Sequence, residues 1–320
     1  MRRIAPFLIA ALGLLSTQLA LAQAYPNRQI TLVIPFAAGS GTDAVARTVA
    51  QRLTERLKQP VVVENKAGAS AQIAAQFVAA AKPDGYTLFM TTNTSHSSNP
   101  SLFKTLRYDP IKDFTPIVRV GEIPFALAVH PSVPAKTLKE LIDYAKANPG
   151  KLSYATPNST SLVASETIKR LAGIDMVGIP YKASPQALTD LVGGQVQVYV
   201  VDFVSGLSML RSDKIRVLGV TTANSSNMLP GVPPIGNLVK GFDMTSWNGI
   251  FGPAGLPPAI VDLINSEVQQ VLAEKEVQDK LGLIGFEIWL SKTPAEFTKY
   301  VADQLTNWTG LIKQAGINPE

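Results

Sequence analysis

From Ile30 to Met90 the chain alternates strand-like and helix-like segments without a break, and this alternation restricts the class of fold open to it. Ile30–Ile34 is an apolar, β-branched run, after which Val45, Val49, Leu53 and Leu57 recur at the four-residue spacing of one helix face. Val61–Val63 reads as a second strand and an alanine-rich stretch to Ala81 as a second helix. Thr87–Met90 reads as a third strand, entered through the turn Pro83-Asp84-Gly85. A βαβαβ chain of this kind predicts a parallel sheet wound by helices through right-handed crossovers. Its ligand crevice is expected at the carboxyl ends of the strands.

Between the first strand and the first helix stands the loop PFAAGSGTD, Pro35 to Asp43, built of small residues and free of lysine and arginine. Such a turn aims several backbone N–H groups and the positive end of the helix dipole at one point, which outlines an anion site. The same residues also suit a plain strand-to-helix turn, with Gly39 and Gly41 supplying the bend and Thr42 or Asp43 the helix cap. Two further loops favour the anion reading. TTNTSHS and TPNSTS sit at equivalent strand ends in the two halves of the chain, and both carry hydroxyl and amide groups suited to carboxylate oxygens. The candidate ligand-binding residues are therefore Phe36, Ala37, Ala38, Gly39, Ser40, Gly41, Thr42 and Asp43, then Thr92, Asn93 and His96, then Thr156, Asn158, Ser159, Thr160 and Ser161.

A second α/β unit begins near Phe125. It runs strand, turn and helix, with Thr137 and Glu140 as a capping box and Asn148-Pro149-Gly150 as the stop. A strand at Leu152–Ala155, a helix through Ile168 and a strand at Val177–Ile179 follow. In the next loop, PYKASP, Ser184 is expected to cap a helix that has Pro185 in its first turn and closes at Gly193-Gly194. QVQVYVV alternates as a strand, and Ile215–Val220 reads as another. Lys182 and Ala183 of the PYKASP loop join the candidates, as do Asp202 and Phe203 after the alternating strand, Asp202 equally suiting a helix cap. The Pro- and Gly-rich span LPGVPPIGNLVKGF reads as a return to the first unit, completed by a helix Pro257–Ala273, a strand near Phe286–Leu290 and a last helix capped by Thr293. Trp247 and Asn248, just after the return, suit interlobe packing better than a ligand wall. The expectation is an α/β protein of two lobes joined by two crossing segments, with residues 25–125 and 244–320 in lobe 1 and 126–243 inserted as lobe 2. Such a geometry favours hinge closure around a small ligand.

The amino terminus has export grammar: MRR, an apolar run Phe7–Leu15 too short to span a bilayer, and the small-residue string ALAQA. A signal peptide over residues 1–24 is expected, cut before Tyr25, with Ala20 and Ala22 also allowing a cut before Gln23. The chain has no cysteine and two histidines, His96 and His130, so neither a metal site nor thiol chemistry is expected, nor any cofactor. His130, beside Pro131 at a strand end, suits a structural role. The formal net charge of +5 comes without a basic cluster and does not suggest nucleic acid. The string SLFK, Ser101–Lys104, fits the S-x-x-K of some serine hydrolases, but S-D-N, K-T-G and G-x-S-x-G are all absent. Neither G-x-x-x-x-G-K-S/T nor G-x-G-x-x-G occurs either, so catalysis is not expected.

Several strings, in order, carry a family resemblance: YPNRQITLVIPFAAGSGTDAVAR, VVVENKAGASAQIAAQFVAAAKPDGYTLFM, NPSLFKTLRYDPIKDFTPI, IPYKASPQALTDLVGGQVQV and WNGIFGPAGLPPAIVDLIN. From Tyr25 to the end the chain closely resembles the extracytoplasmic solute-binding proteins of tripartite tricarboxylate transporters, the Bug family. The resemblance implies a periplasmic, monomeric, two-lobe receptor of the type II, Venus-flytrap kind that hands a carboxylate to membrane permease subunits. It implies that amides and hydroxyls of Phe36–Asp43 and of Thr156–Ser161 hold the ligand, with ordered water bridging. The chain departs from the family pattern at Gly39-Ser40 for Gly-Gly, at ENKAGASA for a more glycine-rich string, at Leu162-Val163 for His-Leu, and at Ala183 for glycine. The expected cargo is a di- or tricarboxylate, with Phe36 and Phe203 leaving room for an aromatic one such as terephthalate. A receptor signalling to a sensor partner is the alternative, and a serine hydrolase the more distant one.

Overall fold

The computed structural model describes residues 25–320, so the segment read as a signal peptide lies outside the described residues. In chain order the strands are β1 (Ile30–Ile34), β2 (Val61–Asn65), β3 (Thr87–Thr92), β4 (Phe114–Ile123), β5 (Phe125–Val129) and β6 (Ser153–Thr156). They continue with β7 (Val177–Pro180), β8 (Val198–Asp202), β9 (Arg216–Val220), β10 (Ser246–Pro253) and β11 (Glu287–Ile288). The helices are α1 (Gly41–Leu57), α2 (Gln72–Ala79), α3 (Asn99–Leu102), α4 (Leu138–Ala147) and α5 (Ser159–Ala172). After them come α6 (Ser184–Val192), α7 (Phe203–Leu210), α8 (Pro258–Ala273), α9 (Lys275–Leu283) and α10 (Pro294–Ala315).

Two sheets form, in the orders β11-β4-β10-β3-β1-β2 and β7-β6-β8-β5-β9, and each is the centre of a lobe. The expected βαβαβ unit is present, with β1 lying parallel between β2 and β3. The sheet it belongs to is mixed, because β10 runs antiparallel to both β3 and β4. In the second lobe β6 pairs parallel with β7 and β8, whereas β5 runs antiparallel to β8 and β9. Only Pro124 separates β4 in one lobe from β5 in the other, and the chain returns between Val220 and Ser246.

Helix α1 forms because Val45, Val49 and Leu53 fall on one face, which is buried, and because Ser40 accepts the Asp43 amide as the amino-terminal cap. Thr137 and Thr293 cap α4 and α10 as their sequences predict. Ser184 does not cap α6. Ala183 holds the cap position without a side-chain acceptor and Ser184 is already helical, because the helix starts one residue sooner and takes Pro185 as its second residue, still within the first turn.

Lobe 1 contains an aromatic core of Phe89, Phe114, Trp247, Phe251 and Phe297, all at most 4% exposed. Phe297 of α10 packs its ring at 4.9 Å from Phe251, edge-on to Trp247, and a Cβ on Gly249 would overlap it. Phe297→Ala is expected to cost about 3–5 kcal/mol of stability through lost burial and the residual cavity. Urea unfolding followed by circular dichroism measures this, with a lowered midpoint and an unchanged slope as the expected result.

Candidate functional site

Four helices begin at the same place. The ends of β1, β6 and β8 feed α1, α5 and α7, and the loop after β7 feeds α6. Ser40 caps α1. Asn158 caps α5 by accepting the Ser161 amide at 2.9 Å, and Asp202 caps α7 by accepting the Ser205 amide at 2.8 Å. All three caps, with Ser184 of α6, line one cavity between the lobes. Gly41, Thr42 and Phe36 of the first loop, Thr92 and Thr94 at the end of β3, Ile123 and Phe125 at one crossing, and Ser246 at the other complete its wall. Neither lysine nor arginine lines it, so the positive potential there comes from backbone dipoles and their unsatisfied N–H groups. About 30 Å³ of it is open to a water-sized sphere, and past Phe36, Thr94 and Asn158 it opens into a larger groove.

The rest of the first loop holds that wall in place. The Asp43 carboxylate accepts from the Gly39 amide at 3.0 Å, Arg47 Nε at 3.0 Å and Asn65 Nδ2 at 2.9 Å. Burial opposes its charge, but the hydrogen bonds from Arg47, Gly39 and Asn65 prevail and hold the carboxyl below its usual range. Asp43 is thus placed as a brace of the loop rather than on the cavity wall. Ala37, Ala38 and Gly39 form the outer turn, with Gly39 at φ +80°, where an L side chain is strained, and facing Pro185 of lobe 2.

TTNTSHS is not the open loop its composition suggests. Thr94–Ser98 is a fully buried π-helical turn running into α3. Asn93 there donates to Thr160 Oγ1 at 3.0 Å and Ser159 Oγ at 3.3 Å of lobe 2, and its Oδ1 accepts from Ser246 Oγ at 2.6 Å. Thr94 and Ser159 hydroxyls add a 2.9 Å contact, so Asn93, Ser159 and Thr160 form a seam that joins the lobes. Ser161 turns its hydroxyl to the Val200 carbonyl at 2.8 Å.

Other sequence candidates lie elsewhere. His96 is fully buried against Phe251, with ring centroids at 4.1 Å, and its Nδ1 meets Ser95 Oγ at 2.8 Å. Burial pushes its pKa down to about 3, so it is neutral in an aromatic core. Phe203 is fully buried in the core of lobe 2, and Trp247 in that of lobe 1. Thr156 and Lys182 line the open groove that continues outward from the cavity; the groove shares Phe36, Thr94 and Asn158 with it and adds Tyr154, Leu162 and Lys169. Ser101 of the S-x-x-K string sits at the surface, hydrogen-bonded to Thr309 Oγ1 at 3.0 Å. Among the described residues no group of three His, Cys, Asp or Glu side chains is placed to hold a metal, and no helix is long and apolar enough to cross a membrane.

Sequence reading missed Ile123, Phe125 and Ser246, which reach the cavity only because both crossings pass beside it. Thr94 of TTNTSHS and Ser184 of PYKASP also line the cavity, beyond the residues the sequence singles out. Their positions beside Thr92 and before Pro185 were the available signals.

The profile of a family described as tripartite tricarboxylate transporter family receptor matches residues 45–317. R. palustris Rpa4515 with adipate is 34% identical, with a TM-score of 0.89 over 92% of this chain and 100% of that one. The periplasmic binding protein BugD is 32% identical, with a TM-score of 0.86 over 92% of this chain and 100% of its own. MatC from Rhodopseudomonas palustris with bound malate is 30% identical, with a TM-score of 0.85 over 90% and 100%.

The seam makes a sharp prediction. Asn93→Ala leaves the Ser246 and Thr160 hydroxyls without their buried partner, at about 1–3 kcal/mol for the closed form, while Ser159 keeps Thr94 and Ser98. Small-angle scattering is expected to show a larger radius of gyration, and ligand affinity to fall by about tenfold or more.

Proposed function

The chain belongs to the tripartite tricarboxylate transporter family receptors, the Bug proteins, and on that premise we propose that it captures a small aliphatic dicarboxylate between its lobes for delivery to membrane permease subunits. The family is one of solute-binding receptors, and its members are periplasmic. Export through the segment 1–24 accords with that compartment.

One observation carries the ligand class: four helix amino termini converge on a cavity lined by hydroxyls and amides and by no basic side chain. Backbone N–H groups and aligned dipoles favour an anion there, and hydroxyls and water complete its coordination without fixing one ligand shape. Rpa4515 with adipate and MatC with malate are the related structures that support a linear dicarboxylate of that size class. The aromatic alternative loses one wall, because Phe203 is in the core of lobe 2, and rests on Phe36 and Phe125 alone. Delivery to a permease is supported by the family to which the chain belongs.

A thermal-shift screen of chain that has been unfolded and refolded to strip carried-over ligand tests this reading. The panel is malate, succinate, adipate, citrate, aspartate, glutamate and terephthalate, with glucose and a neutral amino acid as controls. A ligand at about a hundred times its Kd adds about 2.7 kcal/mol, so a dicarboxylate is expected to raise the Tm by roughly 2 °C or more. A response confined to the neutral controls overturns the reading.

A further inference from the structure

Among the described residues the cavity between the lobes is lined by one ionisable side chain, and that side chain is an acid, Asp202. It ends β8, is 4% exposed, and lies where the second lobe meets the first-loop helix. A Cβ on Gly41 would come within 2.7 Å of its Oδ1, so the carboxyl abuts the backbone amides best placed to take a ligand oxygen. Its oxygens accept the Ser205 amide at 2.8 Å and the Ser205 hydroxyl at 2.5 Å. Neither partner is cationic.

No residue on the cavity wall supplies an offsetting charge, and Lys169 and Lys182 line the groove beyond Phe36, Thr94 and Asn158 rather than the wall itself. On its own strand Tyr199 is fully buried, its hydroxyl near Ser161 and Ser184 but in hydrogen-bond geometry with neither. From α1 comes Asp43, already turned to Gly39, Arg47 and Asn65. From β4 come apolar Ile123 and, one residue earlier, Glu122, which is turned to Arg119, Thr245 and Tyr300. Helices α6 and α7 contribute Ser184 and Ser205, and burial raises the Asp202 carboxyl against the pull of their hydrogen bonds.

A ligand carboxylate placed on the α1 amides therefore lies beside a second carboxylate in a closed space with no cation. Two such groups cannot both stay ionised at ordinary cost, and one proton shared with them removes the repulsion. We infer that Asp202 takes up a proton as a ligand carboxylate seats, so that this receptor binds its anion together with H⁺. The inference rests on the carboxylate reading above and specifies the protonation state of the complex. Neutral Asp202 turns from acceptor into donor at Oδ2, towards the ligand oxygen or towards Ser205 Oγ. Because binding raises the pKa of the group, affinity is greatest at low pH and falls as pH rises past the free-state value, with a limit of about tenfold per pH unit.

Calorimetric titration of the refolded chain with malate and with adipate tests it, between about pH 6 and about pH 8 and in two buffers of different ionisation enthalpy. The wild type is expected to take up close to one proton per ligand at the alkaline end, with Kd rising about threefold to tenfold per unit there. Asp202→Asn retains a good helix cap and is expected to show neither uptake nor slope, binding at the alkaline end as tightly as the wild type or more so. Tight wild-type binding without proton uptake overturns the inference, as does an Asp202→Asn variant that keeps the slope. Loss of binding in Asp202→Asn overturns it too, as does a wild-type preference for aspartate or glutamate that this variant abolishes, which would make Asp202 an ammonium partner. Failure of every carboxylate in the panel at every pH overturns the carboxylate reading itself.

Discussion

The first turn of any helix leaves amide N–H groups that the helix cannot satisfy, and this protein brings four such turns to one point. Ser40, Asn158 and Asp202 each take up one amide, and the helix starts they belong to line the cavity between the lobes. The α/β architecture makes this economical, because parallel strands deliver their following helices to the same edge of the sheet. Lobe 1 brings α1 to the seam and lobe 2 brings α5, α6 and α7. A receptor built this way needs no arginine to attract an anion, and its wall is made of groups that adapt to ligand shape.

The polar seam is held up by an apolar framework. The aromatic core of lobe 1 surrounds the π-helical turn that carries Asn93 and His96, and β10 supplies Trp247 and Phe251 to that core and Ser246 to the seam. One strand thus positions both the core and the closing hydrogen bonds. The neutral imidazole of His96, stacked on Phe251 and tilted against Phe114, is spent on packing and does not line the cavity.

Features encoded over short range were legible in the sequence. The βαβαβ start, the caps at Thr137 and Thr293 and the small-residue loop before α1 all follow from spacing and residue type. The strands Phe114–Ile123 and Ser246–Pro253 were not, because Pro116, Gly121, Gly249, Gly252 and Pro253 read as turn residues. Packing explains two of these glycines: a side chain at Gly121 would overlap Glu287 and Phe286, and one at Gly249 would overlap Phe297. The same limit applies in the site. His96 and Phe203 sit next in sequence to polar groups at strand ends, and only the tertiary arrangement turns them into cores. Ser246 is remote in sequence from everything it serves.

A single proline joins β4 to β5, and proline fixes its own φ. That crossing therefore has one soft torsion fewer, and a rotation of the lobes about so short a joint would run close to a single axis. Along such an axis the width of the mouth and the angle at the hinge are one variable. A ligand too long for full closure would hold the rotation short of its end, so molecular length inside the cavity becomes an angle between two outer surfaces, where another protein can gauge it without touching the ligand.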